Sequence, residues 1–576
     1  MVFDRSRPDV LFLHAPSVYD FRTRSIVYGP VSDLIPSTPI FEMYPVGFSS
    51  MASYLKKHGI NARIINLALL MLRDPTFDAA ALLRRLGPKL VGIDLHWLPH
   101  AHGSVEVANL VKELHPDVPV VFGGFSSSFF HEELITYPGV DYVIRGDSAE
   151  EPLRRLFVAL RDGGPLADVP NLTWKDAAGI HANPLCYVPD DIDEFDLGYK
   201  EVVRSVIRNR DLVGALPFTN WAEYPIMAAI ASRGCDCNCC FCGGANYAFK
   251  GVLNRRKTAF RSPEALVEEA RNISQFSRGP IFVIGDVPLA GDEYMDRVLT
   301  GLGKAKLKNQ MIFEFFVPPG EEFYARVSRE IRHHSYEMSV ESHDETVRAA
   351  VGKGYSNEAV EKSIAAALAH NCERFDLYFL VGLPKQTRQT VRDTVEWCRH
   401  LYRTFDGDPR IRVFISPLAP FLDPGSRGFV EPERFGYKLL CHTLEEHRQA
   451  LLQPSWKYTL NYETEWMNRD DIVDATYESA LGLNQVKREF GVMDTKAADR
   501  IEARIRRAMA IMKRVDAVVA LRDPAERERR LFALKSEVDG ASISTVCDTR
   551  ELEWSLGRNI MRFRPLNILR IALSRG

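Results

Sequence analysis

The sequence lacks the features of a membrane, secreted or strongly basic protein. No apolar run among its 576 residues reaches the roughly 20 residues that a bilayer span requires. The first residues contain neither a long apolar core nor a small-residue cleavage site, so no signal peptide is predicted. The formal net charge of −3 argues against a protein that binds nucleic acid through bulk electrostatics. We therefore expect a soluble, cytoplasmic protein without a nucleic-acid partner.

Cysteines are few and unevenly distributed. The chain contains ten, and five of them lie between Cys235 and Cys242. A disulfide framework would spread its cysteines through the loops of a small secreted chain. One dense cluster in a long chain without a signal peptide indicates a reducing compartment and a metal site instead.

Alternating strand and helix patterns divide the chain into units. Five apolar, β-rich runs occupy residues 9–16, 61–67, 90–97, 118–124 and 141–147, with helical patterns between them. Runs that are apolar on both faces predict a parallel sheet covered by helices on both sides. Residues 1–163 are therefore predicted to form a doubly wound, Rossmann-like α/β domain, with ligands beyond the carboxyl ends of the strands. Residues 164–225 are interpreted as a linker with a small hairpin.

The alternation resumes in residues 226–425, which contain six further strand patterns. Six βα units predict a full or partial (β/α)6 barrel with its site at the carboxyl ends of the strands. Residues 426–576 are mostly helical in pattern, and their aromatic residues are interpreted as core rather than as a cover over a ligand. Residues 561–575 are basic and apolar, and a docking helix or a tail is favoured there over contact with an anionic membrane.

The densest cysteine segment follows the first strand of the second unit. Within it, Cys235, Cys239 and Cys242 are the only choice that gives the spacing C-x3-C-x2-C. Three thiolates on one tight loop can hold three corners of a cubane [4Fe–4S] cluster, which leaves the fourth iron open for a cofactor or substrate. The alternatives are a redox dithiol and a zinc site that takes Cys237 or Cys240 as its fourth ligand.

This loop, with Phe241 in the aromatic position before the last cysteine, resembles that of the radical SAM (S-adenosylmethionine) superfamily. The resemblance continues at later strand ends, in Gly285-Asp286, Glu341-Ser342 and Gly382. It implies SAM contacts at Phe241, Gly285 and Asp286, with Asp286 binding the methionyl amine. It further implies that Glu341 and Ser342 reach the ribose or amino group of SAM. It also implies that Gly382 lies near the adenine. The alternative for each acid is a role as the cap of the following helix.

The resemblance also implies the chemistry. A reduced cluster passes an electron into the SAM sulfonium, and the carbon–sulfur bond breaks to give methionine and a 5′-deoxyadenosyl radical. The radical then abstracts an unactivated hydrogen from a small-molecule substrate. The protein orients the cofactors and excludes water. An electron donor such as flavodoxin or ferredoxin is therefore an expected partner.

A doubly wound domain before such a barrel, joined by a Pro-Asn-Leu-Thr-Trp hairpin, resembles the cobalamin-binding class of the superfamily. The residues that the resemblance places near cobalamin are His96, Trp97, Gly123, Gly124, Ser126, Gly146 and Asp147. The glycines let the backbone approach the nucleotide tail, although a structural turn explains them as well. The loop after the first strand lacks the D-x-H-x-x-G sequence that supplies a cobalt ligand. His96 is therefore expected near the lower face of the corrin without a bond to cobalt.

Several functions remain open for this architecture. The leading hypothesis is methyl transfer to an unactivated carbon, or to phosphorus, through methylcobalamin and the 5′-deoxyadenosyl radical. The alternative with the same cofactors is oxidation or cyclisation, since the anaerobic magnesium-protoporphyrin ester cyclase resembles this architecture. A tRNA-modifying function would require an acetyltransferase or RNA-binding module, which the C-terminal pattern does not indicate. A cobalamin sensor with an inactive barrel is opposed by the intact cysteine spacing and by Asp286 and Glu341. No feature names the substrate.

Overall fold

The computed structural model describes residues 7–29, 38, 40–418, 421–542, 546–554 and 562–573. Two parallel α/β units are followed by a helical region, which confirms the predicted fold class. Of the basic C-terminal segment, residues 561, 574 and 575 lie outside the described part of the chain.

Seven strands form the sheet of the N-terminal unit: β1 (Val10–His14), β2 (Ala62–Asn66), β3 (Leu90–Asp94), β4 (Val120–Gly123), β5 (Tyr142–Ile144), β6 (Leu172–Asp176) and β7 (Gly179–Ala182). Their order is β2-β1-β3-β4-β5-β6-β7, and β1 to β5 run parallel. Every residue of β1 and β3 is buried, because helices cover both faces of the sheet. The helices are α1 (Gly47–Lys57), α2 (Leu67–Arg73), α3 (Ala79–Leu86), α4 (Ala101–Leu114), α5 (Phe125–Phe129), α6 (His131–Leu134) and α7 (Glu150–Asp162).

The hairpin β6–β7 belongs to this sheet and not to a separate linker. β6 pairs antiparallel with β5, with Leu172 opposite Ile144, and β7 pairs with β6. The hairpin thereby covers an edge of β5 that would otherwise present unpaired backbone groups. A unit boundary at residue 163 consequently falls inside one sheet. The same stretch contains a helix that the sequence pattern did not predict, α8 (Tyr199–Asn209).

The second unit contains the six predicted strands. Its strands are β8 (Met227–Ile230), the short antiparallel pair β9 (Ser232–Arg233) and β10 (Ala259–Phe260), and β11 (Ile281–Ile284), β12 (Met311–Phe315), β13 (His334–Glu341), β14 (Phe375–Val381) and β15 (Ile411–Pro417). The parallel order β8-β11-β12-β13-β14-β15 puts the first and last strands at opposite edges, so the barrel is partial. The helices are α9 (Asn246–Gly251), α10 (Pro263–Phe276), α11 (Asp292–Ala305), α12 (Glu321–Glu330), α13 (Glu345–Ala350), α14 (Asn357–Ala369) and α15 (Arg388–Thr404).

The remaining described residues are mostly helical, as predicted. Their elements are α16 (Arg427–Val430), β16 (Tyr437–Leu439), α17 (Leu444–Leu451), α18 (Trp456–Thr459), β17 (Tyr462–Thr464), α19 (Arg469–Glu489), α20 (Thr495–Val519), α21 (Pro524–Ser542), α22 (Thr549–Leu552) and α23 (Pro565–Leu573). Trp456 and Tyr462 are buried in the core. α8 contacts α1, α10 and α23, so it links the two α/β units to the C-terminal helix. Within the described residues, no helix has the length and apolar character needed to cross a membrane.

Candidate active site

The carboxyl ends of both parallel sheets face one cavity of about 1030 Å³. Residues that follow β3, β4 and β5 line one side, and residues that follow β8, β11 and β12 line another. Ligands of α/β units bind at such strand ends. The structure therefore arranges the candidate sites of both units around a single space.

Four of the five clustered thiols face this cavity. They are Cys235, Cys237, Cys239 and Cys242. Cys240 differs, because it is 1% exposed and lies in the hydrophobic core. Its carbonyl accepts a hydrogen bond from the Gly428 N–H at 2.7 Å, which ties the loop to the start of α16. Cys240 is thus directed away from any metal in the cavity, and Cys237 is the one extra thiol of the loop that lines it.

The donors of this loop suit an iron–sulfur cluster. Burial raises the pKa of the Cys239 thiol to about 11, and the Lys353 ammonium opposes this rise. Thiols of this kind become ligands when a metal displaces their protons. Among the described residues, no three His, Cys, Asp or Glu side chains converge as a single metal ion would require. A cubane does not require such convergence, because each of its irons takes one thiolate. The predicted set of three cysteines therefore fits the cluster.

A buried ion pair lies at the end of β13. The Lys353 ammonium donates to Glu341 Oε1 at 2.6 Å and to the Ser339 carbonyl at 2.5 Å. Both charged side chains line the cavity, although neither is more than 5% exposed. Glu341 has a φ of 70° and follows an irregularity in the pairing of β13 with β14. Such backbone conformations are rare outside glycine and cluster at functional sites. The pair holds a buried carboxylate in the lining of the cavity.

Two further carboxylates lie near the ends of β11 and β12. One oxygen of Asp286 accepts from the Phe316 N–H at 2.8 Å, and Oδ1 is buried without a partner in the described part of the chain. Such an orphaned oxygen is an acceptor that an ammonium would satisfy. Glu314 lines the cavity, and its carboxylate accepts a hydrogen bond from the Gly285 N–H at 2.5 Å. Asp286 does not belong to the lining. Burial raises the pKa of Asp286 to about 6 and that of Glu314 to about 7.

Sequence reasoning missed Glu314. The available signal was a single acid in the otherwise apolar strand β12, in a Phe-Glu-Phe sequence. Because alternate residues of a strand point to opposite faces, Glu314 faces away from the buried rings on either side of it. With Glu341, it gives the barrel side of the cavity lining two buried acids.

The remaining predicted SAM residues divide into two groups. Phe241 and Gly285 line the cavity, whereas Ser342 and Gly382 do not. The Ser342 hydroxyl accepts from the Asp344 N–H at 3.2 Å, in the turn before α13. A Cβ at Gly382 would lie 2.2 Å from the Tyr462 hydroxyl, so only glycine fits this turn after β14. In the structure, Ser342 and Gly382 therefore shape turns at the strand ends.

The predicted cobalamin residues lie mostly at the ends of the N-terminal strands. Those in the cavity lining are His96, Trp97, Gly123, Gly124, Gly146 and Asp147. Gly124 has a φ of 122°, and a Cβ there would lie 2.6 Å from the Cα of His96. Glycine is therefore required for the close approach of the loops after β3 and β4. Ser126 is not in the lining, and its hydroxyl donates to the His96 carbonyl at 3.1 Å.

Two buried ion pairs join the N-terminal unit to the barrel beside the cysteine loop. Asp147 pairs with Arg255, and Arg233 Nη1 donates to Glu150 Oε2 at 3.0 Å. The four side chains are at most 12% exposed. Arg233 lies two residues before Cys235, so the pair fixes the start of the loop to the other unit. The Asp147 carboxylate is thus engaged by the barrel.

Histidines cluster at the ends of β1 and β3. His14 Nδ1 lies 3.0 Å from Asp94, and the rings of His14 and His100 are 4.6 Å apart. The ring of His96 lies 4.7 Å from that of Phe125. Burial lowers the pKa of His96 to about 4 and that of His100 to about 3, so both imidazoles are neutral. Because Asp94 bonds to His14, it does not orient His96 in the way that a carboxylate usually orients a ligating imidazole.

Two family matches cover the two halves of this cavity. Residues 37–156 match the B12 binding domain, and residues 230–398 match the radical SAM superfamily. The chain is a cobalamin-binding member of the radical SAM superfamily. The glycine turns after β4 and β5 lie in the first matched segment, and the cysteine loop lies in the second. The cofactors of this radical SAM protein are therefore a [4Fe–4S] cluster, SAM and cobalamin.

Two kinds of relatives are similar to parts of this chain. An uncharacterised methyltransferase of Pyrococcus horikoshii is 23% identical over 367 residues, which cover 62% of this chain and 73% of the relative. An anaerobic magnesium-protoporphyrin IX monomethyl ester cyclase of Synechocystis is 24% identical over 226 residues, which cover 38% of this chain and 42% of the relative.

Solved structures show the same fold. The radical SAM methyltransferase TsrM from Kitasatospora setae, with cobalamin and a [4Fe–4S] cluster bound, has a TM-score of 0.58 at 13% identity, with 93% of this chain and 100% of that chain covered. The cobalamin-dependent radical enzyme OxsB, with aqua-cobalamin and SAM bound, has a TM-score of 0.52 at 14% identity, with 93% and 72% covered.

Proposed function

We propose that this radical SAM protein is a cobalamin-dependent methyltransferase that acts on an unactivated carbon, or on phosphorus, of a small molecule. The observation that carries the proposal is the shared cavity, because the cysteine loop and the glycine turns of the B12-binding domain face the same space. The methyltransferase relative, similar over 62% of this chain, supports it. When bound, the cluster and SAM supply a radical, and cobalamin supplies a methyl group.

The proposed roles of the residues follow from their positions. The thiols of Cys235, Cys239 and Cys242 ligate the cluster. The buried carboxylates of Glu341 and Asp286 accept hydrogen bonds from the polar groups of SAM, and the Lys353 ammonium holds the Glu341 carboxylate in place. Charge-assisted bonds of this kind are strong when water is excluded from them.

On the other side of the cavity, the proposed cobalamin contacts are the backbones of Gly123, Gly124 and Gly146, with His96 and Trp97 beside the corrin. Trp97 is 39% exposed, and its ring is part of the cavity lining. A large exposed aromatic side chain in a cavity provides apolar area for a flat macrocycle. His96 is proposed to contact the corrin without a bond to cobalt. Flavodoxin or ferredoxin is proposed as the electron donor.

A second candidate function is oxidation or cyclisation with the same cofactors. It is favoured by the similarity to the Synechocystis ester cyclase, which covers 38% of this chain. Both functions use the same cavity, and they differ in the fate of the SAM methyl group.

Labelled SAM distinguishes these functions. The full chain is reconstituted anaerobically with iron, sulfide and cobalamin, reduced, and supplied with SAM that carries a ¹⁴C-methyl group. Methyl transfer predicts label on cobalamin together with release of S-adenosylhomocysteine. Formation of 5′-deoxyadenosine with no label on cobalamin, although cobalamin is bound, would contradict methyl transfer and favour the second function.

A further inference from the structure

The cavity extends beyond the strand ends into a region enclosed by α8, the end of α10 and the residues around α23. We call this region the apolar annex, and its lining includes Val203, Val206, Ile207, Phe276, Phe563 and Ile568. The three helices contact one another, so these side chains surround one space. The annex is continuous with the cysteine loop, because both belong to the same cavity.

The face of α8 towards the annex is apolar and accessible. None of the residues of α8 is buried, although its valines and isoleucine point inwards. Its polar side chains bind elsewhere, since Lys200 donates to Asn272 at 2.6 Å and Arg208 donates to Asn61 at 2.9 Å. A helix usually buries such an apolar stripe against a core. Within the described part of the chain the stripe faces a cavity, and a ligand with apolar surface would cover it.

The polar groups of the annex are already bonded. The Tyr199 hydroxyl donates to the Ala228 carbonyl at 3.0 Å and accepts from the N–H of the same residue at 3.0 Å. Trp221 Nε1 donates to the Ile226 carbonyl at 2.9 Å. The charged side chains of the cavity lining come from the strand ends, the loops and the start of α7, and α8 and the described residues 562–573 contribute none to it. A charged ligand group in the annex would therefore lose its hydration without gaining a partner.

We infer that the substrate has an extended apolar body, such as a long alkyl or polyisoprenoid chain, which lies in the annex and extends towards the cysteine loop. This inference rests on the proposed function, since it concerns the substrate of the same site. Cobalamin and SAM do not suit the annex, because their amides, ribose hydroxyls and charges require hydrogen-bonding partners. Amino acids and nucleotides are unsuited to it for the same reason.

The test uses the full chain loaded with cluster and cobalamin, and the neutral apolar fluorophore N-phenyl-1-naphthylamine as the probe. The fluorophore should bind and be displaced by farnesol and hexadecan-1-ol but not by L-tryptophan. Val206→Glu and Ile568→Glu should each weaken probe binding at least about tenfold, because a carboxylate in the annex is costly. Val206→Trp should also weaken it, by filling the space without adding charge. Leu569→Glu is the matched control, because Leu569 is on α23 but is 54% exposed and outside the lining.

The outcomes separate this inference from the proposed function. Displacement by L-tryptophan but not by the alcohols would overturn the inference, as would wild-type probe affinity in Val206→Glu and Val206→Trp. The cobalamin absorption spectrum and SAM affinity should be unchanged in the variants, which shows that the chain is folded. If label from SAM reaches cobalamin while the alcohols fail to bind, only the apolar substrate is refuted. If the alcohols bind and no label moves, methyl transfer is refuted and the apolar annex is supported.

Discussion

Replacement of Glu341 by glutamine tests the proposed SAM contact directly. The substitution keeps the length of the side chain, and the amide oxygen can still accept from Lys353, which lies 2.6 Å from Glu341 Oε1. It removes the negative charge that an ammonium or hydroxyl of SAM would contact. A hydrogen bond to a charged group contributes about 1.5–3 kcal/mol, which corresponds to a rise of about 10- to 150-fold in the Kd of SAM.

The structure favours the upper part of this range. Glu341 is 4% exposed, so water screens its charge poorly. In the variant, the buried Lys353 ammonium also loses its counter-charge, which leaves an unpaired positive charge in the lining where cationic SAM is proposed to bind. Both effects act in the same direction, and we expect a rise of about 100-fold.

The assay is equilibrium dialysis of radiolabelled SAM against the anaerobically reconstituted full chain. Iron content is measured in parallel, because loss of the cluster would weaken SAM binding for another reason. Glu358→Gln is the matched control, since the Glu358 side chain is 74% exposed on α14 and paired with Lys362. The reasoning would be refuted if Glu341→Gln had normal iron content and a Kd for SAM within about twofold of the wild type. Loss of a charge-assisted hydrogen bond should change the Kd by more than that.

Three other predictions follow from the site. The alanine variants expected to lose iron, measured by iron and sulfide analysis, are Cys235→Ala, Cys239→Ala and Cys242→Ala. Cys237→Ala should keep about four irons per chain, and loss of iron there would show a different ligand set. The paramagnetic resonance spectrum of bound Co(II) cobalamin should lack imidazole nitrogen splitting, and a splitting that disappears in His96→Ala would contradict this. Burial raises the pKa of Glu314 from 4.5 to about 7. Between these two pH values the unfolded chain loses this proton more readily than the folded chain, so the free energy of unfolding falls as pH rises. Glu314→Gln should therefore melt higher than the wild type above pH 7 but not below about pH 5; a pH-independent difference in scanning fluorimetry would argue against it.

The strands of both units could be predicted because a buried parallel strand is a continuous apolar run. The predicted range 90–97, for example, contains β3, in which every residue is buried. The hairpin β6–β7 was assigned to a linker because only its backbone pairing with β5 makes it part of the sheet. α8 was not predicted, although its apolar pairs Val202-Val203 and Val206-Ile207 recur at helical spacing. Only the structure shows that this apolar stripe faces a cavity instead of a core.

In the candidate site, too, features set by neighbouring residues could be predicted, whereas contacts between distant residues could not. The cysteine spacing is local, so the proposed cluster ligands could be chosen from the sequence alone. The pairing of Arg233 with Glu150 joins residues 83 positions apart, which no local pattern reveals. The sequence does not show which space the Glu314 side chain faces, and only the structure places it in the cavity lining. Sequence order likewise gave no reason to place residues 562–573 beside the site, because their position depends on contacts with α8 and α10.

The two ion pairs between the units limit how this architecture can be divided or recombined. A fragment that begins after α7 would leave Arg233, just before the cysteine loop, and Arg255, after α9, without their carboxylates. The same fragment would carry the hairpin β6–β7 without the strand that it extends. In a chimera, a replacement N-terminal unit must therefore supply the carboxylates of Asp147 and Glu150 and a strand edge equivalent to that of β5. The two units therefore depend on each other at this boundary, even though each has its own sheet.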